Sequence, residues 1–203
     1  MAAADPDGSL ARALVAIDEA NAADPNTEVV EGAAVPKERH RGRAAHAWLL
    51  RLDPDADAAQ QLAARAHHLR RWTRPRGDYP EGRTGYLRWR ADAKKAHAAD
   101  AAQVLRGAGV AEDVIAQCCR LILKDGLVRD PAQRDRDVQF HEDALCLVFF
   151  EFDALQLAGE IGGERTETAI RRTLAKMSET GRRRLIDDER VPAAVLDLVR
   201  AYS

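Results

Sequence analysis

Two groups of residues in this 203-residue chain have types and spacings that could do chemistry. The first is a set of histidines and carboxylates. His46, His67, His68 and His97 each fall in a stretch with helical spacing, and Glu142-Asp143 opens a strongly apolar run. Imidazole nitrogens and carboxylate oxygens are what a divalent transition metal takes as ligands. A carboxylate at the edge of an apolar helix also needs a partner, because an unpaired buried charge is expensive. The second group is an arginine–aromatic segment. Arg70, Arg71, Arg74, Arg76, Arg83, Arg88 and Arg90 are interleaved with Trp72, Tyr79, Tyr86 and Trp89. Guanidinium forks bind phosphate or carboxylate bidentately and stack on aromatic faces. Each group has a plainer reading too: histidines solvated or hydrogen-bonded in the core, carboxylates serving a helix N-terminus, arginines paired with surface acids.

The elements that must hold these residues are helices throughout. Leu10, Leu14 and Ile17 start one that ends before Pro25. A turn-like stretch reaches Val35, Pro36 occupies a first helical turn, and the next helix runs to about Leu52. Asp53-Pro54-Asp55 breaks it, and Asp57 caps a helix over 58–72. Residues 73–90, rich in Pro, Gly and Arg, read as an irregular loop, with a return to helix from about Thr84 as an option. Further helices are expected over 92–106, 112–124 and 139–157. The last of these, containing ALCLVFFEF, is apolar on nearly every face and is the expected central helix. The tail carries helices over about 164–178 and from near Pro192. The fold class is therefore all-α, a single domain with its core over about 9–160 and helices 164–202 packed on it.

The totals narrow the function classes. With 31 basic and 33 acidic residues the net charge is −2, so no global field drives binding to nucleic acid or membrane. A local basic patch leaves nucleic acid possible without favouring it, and Arg182-Arg183-Arg184 reads as a solvated face. Cys118, Cys119 and Cys146 have neither disulfide-framework nor zinc spacing and read as buried thiols of a reducing compartment. Met1 to Leu10 lacks the pattern of a secretory leader, and no apolar run is long enough to span a membrane, so a cytoplasmic location is expected. No Walker loop, dinucleotide glycine fingerprint, nucleophile elbow or paired-histidine zinc-protease motif is present.

The order of the histidines resembles that of the HD metalloproteins, all-helical proteins that use a histidine, a His-Asp pair and a distant aspartate. His46 stands for the first histidine, His67-His68 for the pair, and Asp143 for the last aspartate. The stretch from His97 resembles the second half of that pattern. His68 replaces the aspartate that often bridges two metals, so the resemblance implies one metal rather than two. A closer resemblance is carried by Arg71-Trp72, Pro75-Arg76, Tyr79-Pro80, Arg83, Gly85-Tyr86-Leu87 and Trp89-Arg90, then His97-Ala98, Gln139, Glu142-Asp143, Cys146-Leu147-Val148-Phe149 and Lys176-Met177-Ser178. These are similar to an uncharacterised family, domain of unknown function 4202, over about residues 10–200. That resemblance implies one intact domain and brings no activity with it.

The resulting expectation is a metal-dependent enzyme. His46, His67 or His68, and Asp143 would hold one divalent ion (Fe, Mn, Co or Zn), with His97 and Glu142 as proton carriers. Arg71, Trp72, Arg76, Arg83, Tyr86, Arg90 and Lys124 would bind a small anionic substrate, phosphorylated or nucleotide-like. Hydrolysis is favoured, an iron-dependent oxygenase is the alternative, and a non-catalytic nucleotide-, RNA- or protein-binding module is the third reading.

Overall fold

The computed structural model describes residues 8–128, 133–161 and 163–202; residues 1–7, part of the stretch read as lacking a leader, lie outside it. The fold is all-α. Ten α-helices run among the described residues: α1 (Ser9–Asn21), α2 (Lys37–Leu52), α3 (Ala58–Ala66), α4 (Gly82–Gly107), α5 (Glu112–Leu123), α6 (Arg136–Val148), α7 (Ala154–Ile161), α8 (Gly163–Leu174), α9 (Glu179–Asp187) and α10 (Ala193–Tyr202).

Local chemistry accounts for most of the boundaries. Asp57 caps α3 as expected: its carboxylate accepts the Gln60 amide at 2.8 Å, while the Gln60 side chain accepts the Asp57 amide at 2.8 Å. The expected 58–72 helix nevertheless stops at Ala66. Arg70 adopts a left-handed conformation (φ 54°), which turns the chain away. Ser178 accepts the Gly181 amide and starts α9, a helix that was not expected.

Three further differences matter for the site. The stretch before Pro36 is not just a turn: Thr27–Val30 (β1) and Ala33–Pro36 (β2) pair antiparallel. Glu31 and Gly32, both at positive φ (49° and 82°), make the two-residue turn whose twist suits a hairpin. Next, α4 begins at Gly82, so the irregular segment covers 67–81 and half of the expected loop is helix. Gly85 allows this, since a Cβ there would lie 1.8 Å from the Pro80 carbonyl oxygen. Last, the expected central helix is α6 and α7 joined through a π-helical turn, Phe149–Asp153.

Two hydrophobic cores sit side by side. One joins α2, α6, α8, α9 and α10 around Trp48, Leu147, Phe150 and Ile170. The other joins α1, α3, α4 and α5 around Ile17, Leu62, Leu105 and Leu121. The helices α2 and α3 approach closely at Gly42, where an added Cβ would meet the Arg65 carbonyl oxygen at 2.5 Å. Alanine gains roughly 1 kcal/mol over glycine in a helix interior. Overpacking costs about 1–3 kcal/mol, and a backbone oxygen cannot rotate away as a side chain would. The repulsive effect wins. Gly42→Ala is expected to lower unfolding free energy by about 1 kcal/mol or more in urea titrations; an unchanged or raised midpoint would show that the helices separate freely.

Candidate functional site

Three helical stripes converge on one cavity of about 660 Å³, within the usual range for small-molecule sites. From α2 come Glu38, Arg41, Gly42 and Ala45; from α4, Tyr86, Trp89, Arg90, Ala93, Lys94 and His97; from α6 and the π turn, Glu142, Leu145, Cys146 and Phe149. Each set repeats at three- and four-residue spacing, which puts its members on one helix face. His67, His68 and Arg71, from the turn after α3, close one side, and Lys124 enters from the end of α5.

The charge is lopsided. Seven cationic side chains line the cavity (Lys37, Arg41, Arg71, Arg90, Lys94, Lys124 and Lys176) against three carboxylates, Glu38, Glu142 and Asp153. Some are matched. Arg41 makes a bidentate pair with Glu28 of β1 and reaches Asp153 at 2.8 Å. Lys124 is paired with Glu142, which also has Lys176 at 3.8 Å. Burial works to raise the Glu142 carboxyl, but Lys124 and Lys176 outweigh it and hold it below its usual range. Among the described residues Arg90 and Lys94 make no ion pair; Arg90 lies over the Tyr86 ring and Lys94 donates to the Leu123 carbonyl.

Four imidazoles stand in this cationic surrounding, and all are held neutral. Burial and the neighbouring His68 bring His97 down to about 4. Burial and Lys124 bring His141 down to about 3, and burial pushes His67 well below its ordinary value. Burial likewise lowers His68. The hydrogen bonds assign the protons. His97 Nδ1–H donates to the Leu69 carbonyl at 2.9 Å, so its Nε2 carries the lone pair. His141 Nε2 meets His67 Nδ1 at 3.0 Å, and His141 Nδ1 is buried without a partner. An unpaired acceptor costs less than an unpaired N–H, so His141 donates. His67 then carries its own proton on Nε2.

The arginine–aromatic string quoted above supplies one wall of this cavity, and its histidine and Glu142-Asp143 partners supply or support the others. The sequence profile of the family described as domain of unknown function 4202 matches residues 11–199. The chain belongs to this family. No curated protein and no solved structure matches it.

In this family member the four residues expected to bind a metal do not come together. His46 lies outside the cavity: its Nε2–H donates to Gln61 at 3.1 Å and its Nδ1 faces Arg65 at 3.4 Å. Asp143 is fully buried, and both of its oxygens are used. It accepts the Ser178 amide at 2.8 Å, the Ser178 hydroxyl and the Gln139 side-chain amide at 3.0 Å, tying α9 to α6. Among the described residues no three His, Cys, Asp or Glu side chains are placed to share a metal ion. The donor set therefore does not fit the expected centre.

Of the expected substrate contacts, Arg71, Tyr86, Arg90 and Lys124 line the cavity, as do the expected proton carriers His97 and Glu142. Trp72, Arg76 and Arg83 do not; Arg76 is spent on its own loop, donating to the Tyr79 and Pro80 carbonyls at 2.8 and 2.9 Å. Glu38, Arg41, Lys94 and Lys176 were not anticipated as site residues. A polar stripe on α2 carries no apolar periodicity to draw attention to it. Cys146 also lines the cavity, but burial pushes its thiol up and leaves it unreactive. The Arg182-Arg183-Arg184 run is tied to its surroundings, with Arg183 on Glu179 and Arg184 on the Arg51 carbonyl.

The neutral imidazoles imply a pH dependence. His97 has a folded value of about 4 against an unfolded value near 6.5, so its contribution to stability is full above the unfolded value. That contribution is lost as pH falls from about 6.5 towards 4, at up to roughly 1.4 kcal/mol per pH unit. His97→Asn can keep the bond to the Leu69 carbonyl without titrating. Urea unfolding at pH 7, 6 and 5 should show a shallower acid slope for this variant than for the wild type; equal slopes would mean that His97 is not held neutral.

Proposed function

We propose that the cavity binds a small phosphorylated molecule and that its imidazoles handle a proton in the turnover of that molecule. The observation that carries this reading is the excess of cationic side chains around one half-open cleft, with Lys37, Arg90 and Lys94 in no ion pair among the described residues and every nearby histidine neutral. A cleft lined by one sign of charge focuses its field on an incoming ion. A phosphate group would satisfy guanidinium and ammonium donors together. Tyr86, Trp89 and Phe149 add apolar and aromatic surface for the organic part of the ligand.

Among reaction classes, hydrolysis of a phosphate ester asks for what is present: cations to take up charge on the phosphoryl oxygens, and a proton acceptor beside them. A macromolecular polyanion is a poorer fit, because the cations point into a cavity rather than along a surface track. No helix among the described residues is long and apolar enough to cross a membrane.

Calorimetric titration of the full chain with inorganic phosphate, a sugar phosphate and a nucleoside monophosphate tests this, each organic ligand being paired with its dephosphorylated counterpart. Only phosphorylated ligands should bind, more weakly as salt rises. Lys94→Met should lose roughly tenfold in affinity, the usual worth of one charge-assisted hydrogen bond. Equal binding of phosphorylated and dephosphorylated ligands would overturn the reading. Release of phosphate from a bound ester separates turnover from binding alone.

A further inference from the structure

Arg71 makes a contact that is unusual for a guanidinium. Its Nη1 lies 2.9 Å from His68 Nε2, while its Nε stands off from Glu38 at 3.9 Å and its plane lies over the Trp89 ring. A guanidinium can only donate. His68 Nε2 is therefore the acceptor, and the His68 proton sits on Nδ1. That Nδ1 faces Glu38 Oε2 at 3.5 Å. Glu38 Oε2 is itself buried without a hydrogen bond, and Glu38 is 8% exposed. The three side chains thus group around the imidazole at the cavity wall: its Nδ1 faces the Glu38 carboxylate and its Nε2 is covered by the Arg71 cation.

We infer that the ligand uncovers its own proton acceptor: a bound phosphate draws Arg71 off His68 Nε2, leaving in the cavity an imidazole lone pair oriented by Glu38. This rests on the reading of the cavity as a phosphate site. A guanidinium bound to phosphate makes two charge-assisted hydrogen bonds to an anion in place of one bond to a neutral nitrogen, so the exchange is downhill. Arg71 can move because its ion pair with Glu38 is long, at 3.9 Å, and its side chain is 39% exposed at the cavity rim. His68 cannot follow it. Its backbone carbonyl accepts the Arg71 amide, the adjacent Leu69 carbonyl holds His97, and His67 and His97 pack against its ring.

The consequence is a base exposed only when there is a ligand to act on. The released Nε2 can accept a proton from a water or hydroxyl beside the phosphate, while Glu38 balances the charge that appears on the ring. Glu38 is thereby a positioning residue, acting through His68. The 3.5 Å gap is long for a hydrogen bond, and it should close as the imidazole becomes positive.

Histidine-labelled full-length protein tests the inference by long-range proton–nitrogen correlation spectra, with His97 and His141 as internal controls for folding. With inorganic phosphate as the probe, the His68 Nε2 signal should move from a hydrogen-bonded to a free acceptor while Nδ1 stays protonated. Arg71→Gln should show the free-acceptor signal without phosphate, and phosphate should then shift it little, although calorimetry still detects binding weakened by about tenfold. Glu38→Gln should mix the two His68 tautomers. Phosphate binding with an unmoved His68 Nε2 signal, or an Arg71→Gln spectrum identical to wild type, would overturn the inference while leaving the phosphate site standing. Absence of any calorimetric heat or spectral change with phosphate would overturn both.

Discussion

The site depends on a buried amide. Asn21, at the end of α1, is 2% exposed and holds two backbone segments that share no regular structure. Its Nδ2 donates to the Glu38 carbonyl at 3.4 Å, and its Oδ1 accepts the Arg70 amide at 3.0 Å. Three residues on, Asp24 accepts the Glu38 amide at 2.9 Å, capping α2 from a distant loop because Pro36 has no side-chain oxygen to do so. This pair ties the start of α2 to the turn after α3, while Asp18 joins the two elements further along through Arg43 and Arg65. Glu38 on one is thereby held beside His68 and Arg71 on the other. Left-handed Arg70 is affordable for the same reason, since its amide already has a buried partner.

Gathering like charges has to be offset elsewhere. The cavity lies between two well-packed cores, so its walls cannot simply spread apart to relieve repulsion. Its most buried charges are also the best matched, Lys124 with Glu142 and Arg41 with Glu28 and Asp153. Those without an ion pair among the described residues, Lys37, Arg90 and Lys94, are half-buried or exposed, so water screens them. The imidazoles follow from this field. Burial and the surrounding cations both disfavour imidazolium, so the ring nitrogens serve as a fixed pattern of donors and acceptors rather than as further charges.

How much of this was legible in the sequence depends on which physical signal each residue leaves. Helical spacing identified the fold class, and the cap at Asp57 and the apolar run at 144–152 marked real elements. The matching of His46 and Asp143 to a ligand pattern failed because order along a chain says nothing about helix faces. Successive helical residues point about 100° apart. Glu142 therefore meets the cavity while Asp143 turns to α9. His46, next to the cavity-lining Ala45, turns to α3. The α4 stripe from Tyr86 to His97 was in the sequence at ideal spacing, and the Pro and Gly content ahead of it left the return to helix near Thr84 as an option only. What could not be read was that Gly85 is needed for contact with Pro80 rather than for breaking a helix. The hairpin at Glu31-Gly32 was read only as a turn-like stretch. Glu38 and Asn21 left no signal, because their roles exist only where distant segments meet.

The π-helical turn shows the same principle acting within one element. Leu145, Phe149, Asp153 and Leu157 all line the cavity at four-residue spacing. In a regular α-helix each such step drifts by about 40°, so Leu157 would end roughly 120° away from Leu145 and leave the cavity. The wider π turn at Phe149–Asp153 takes up that drift, keeping the stripe on one face. It also lets Phe150 enter the core and Glu151 accept the Trp48 indole N–H at 2.6 Å. Asp153 then faces Arg41, which the hairpin residue Glu28 holds from the other side. The irregular turn is thus how one long apolar helix serves a core on one side and a charged cavity on the other.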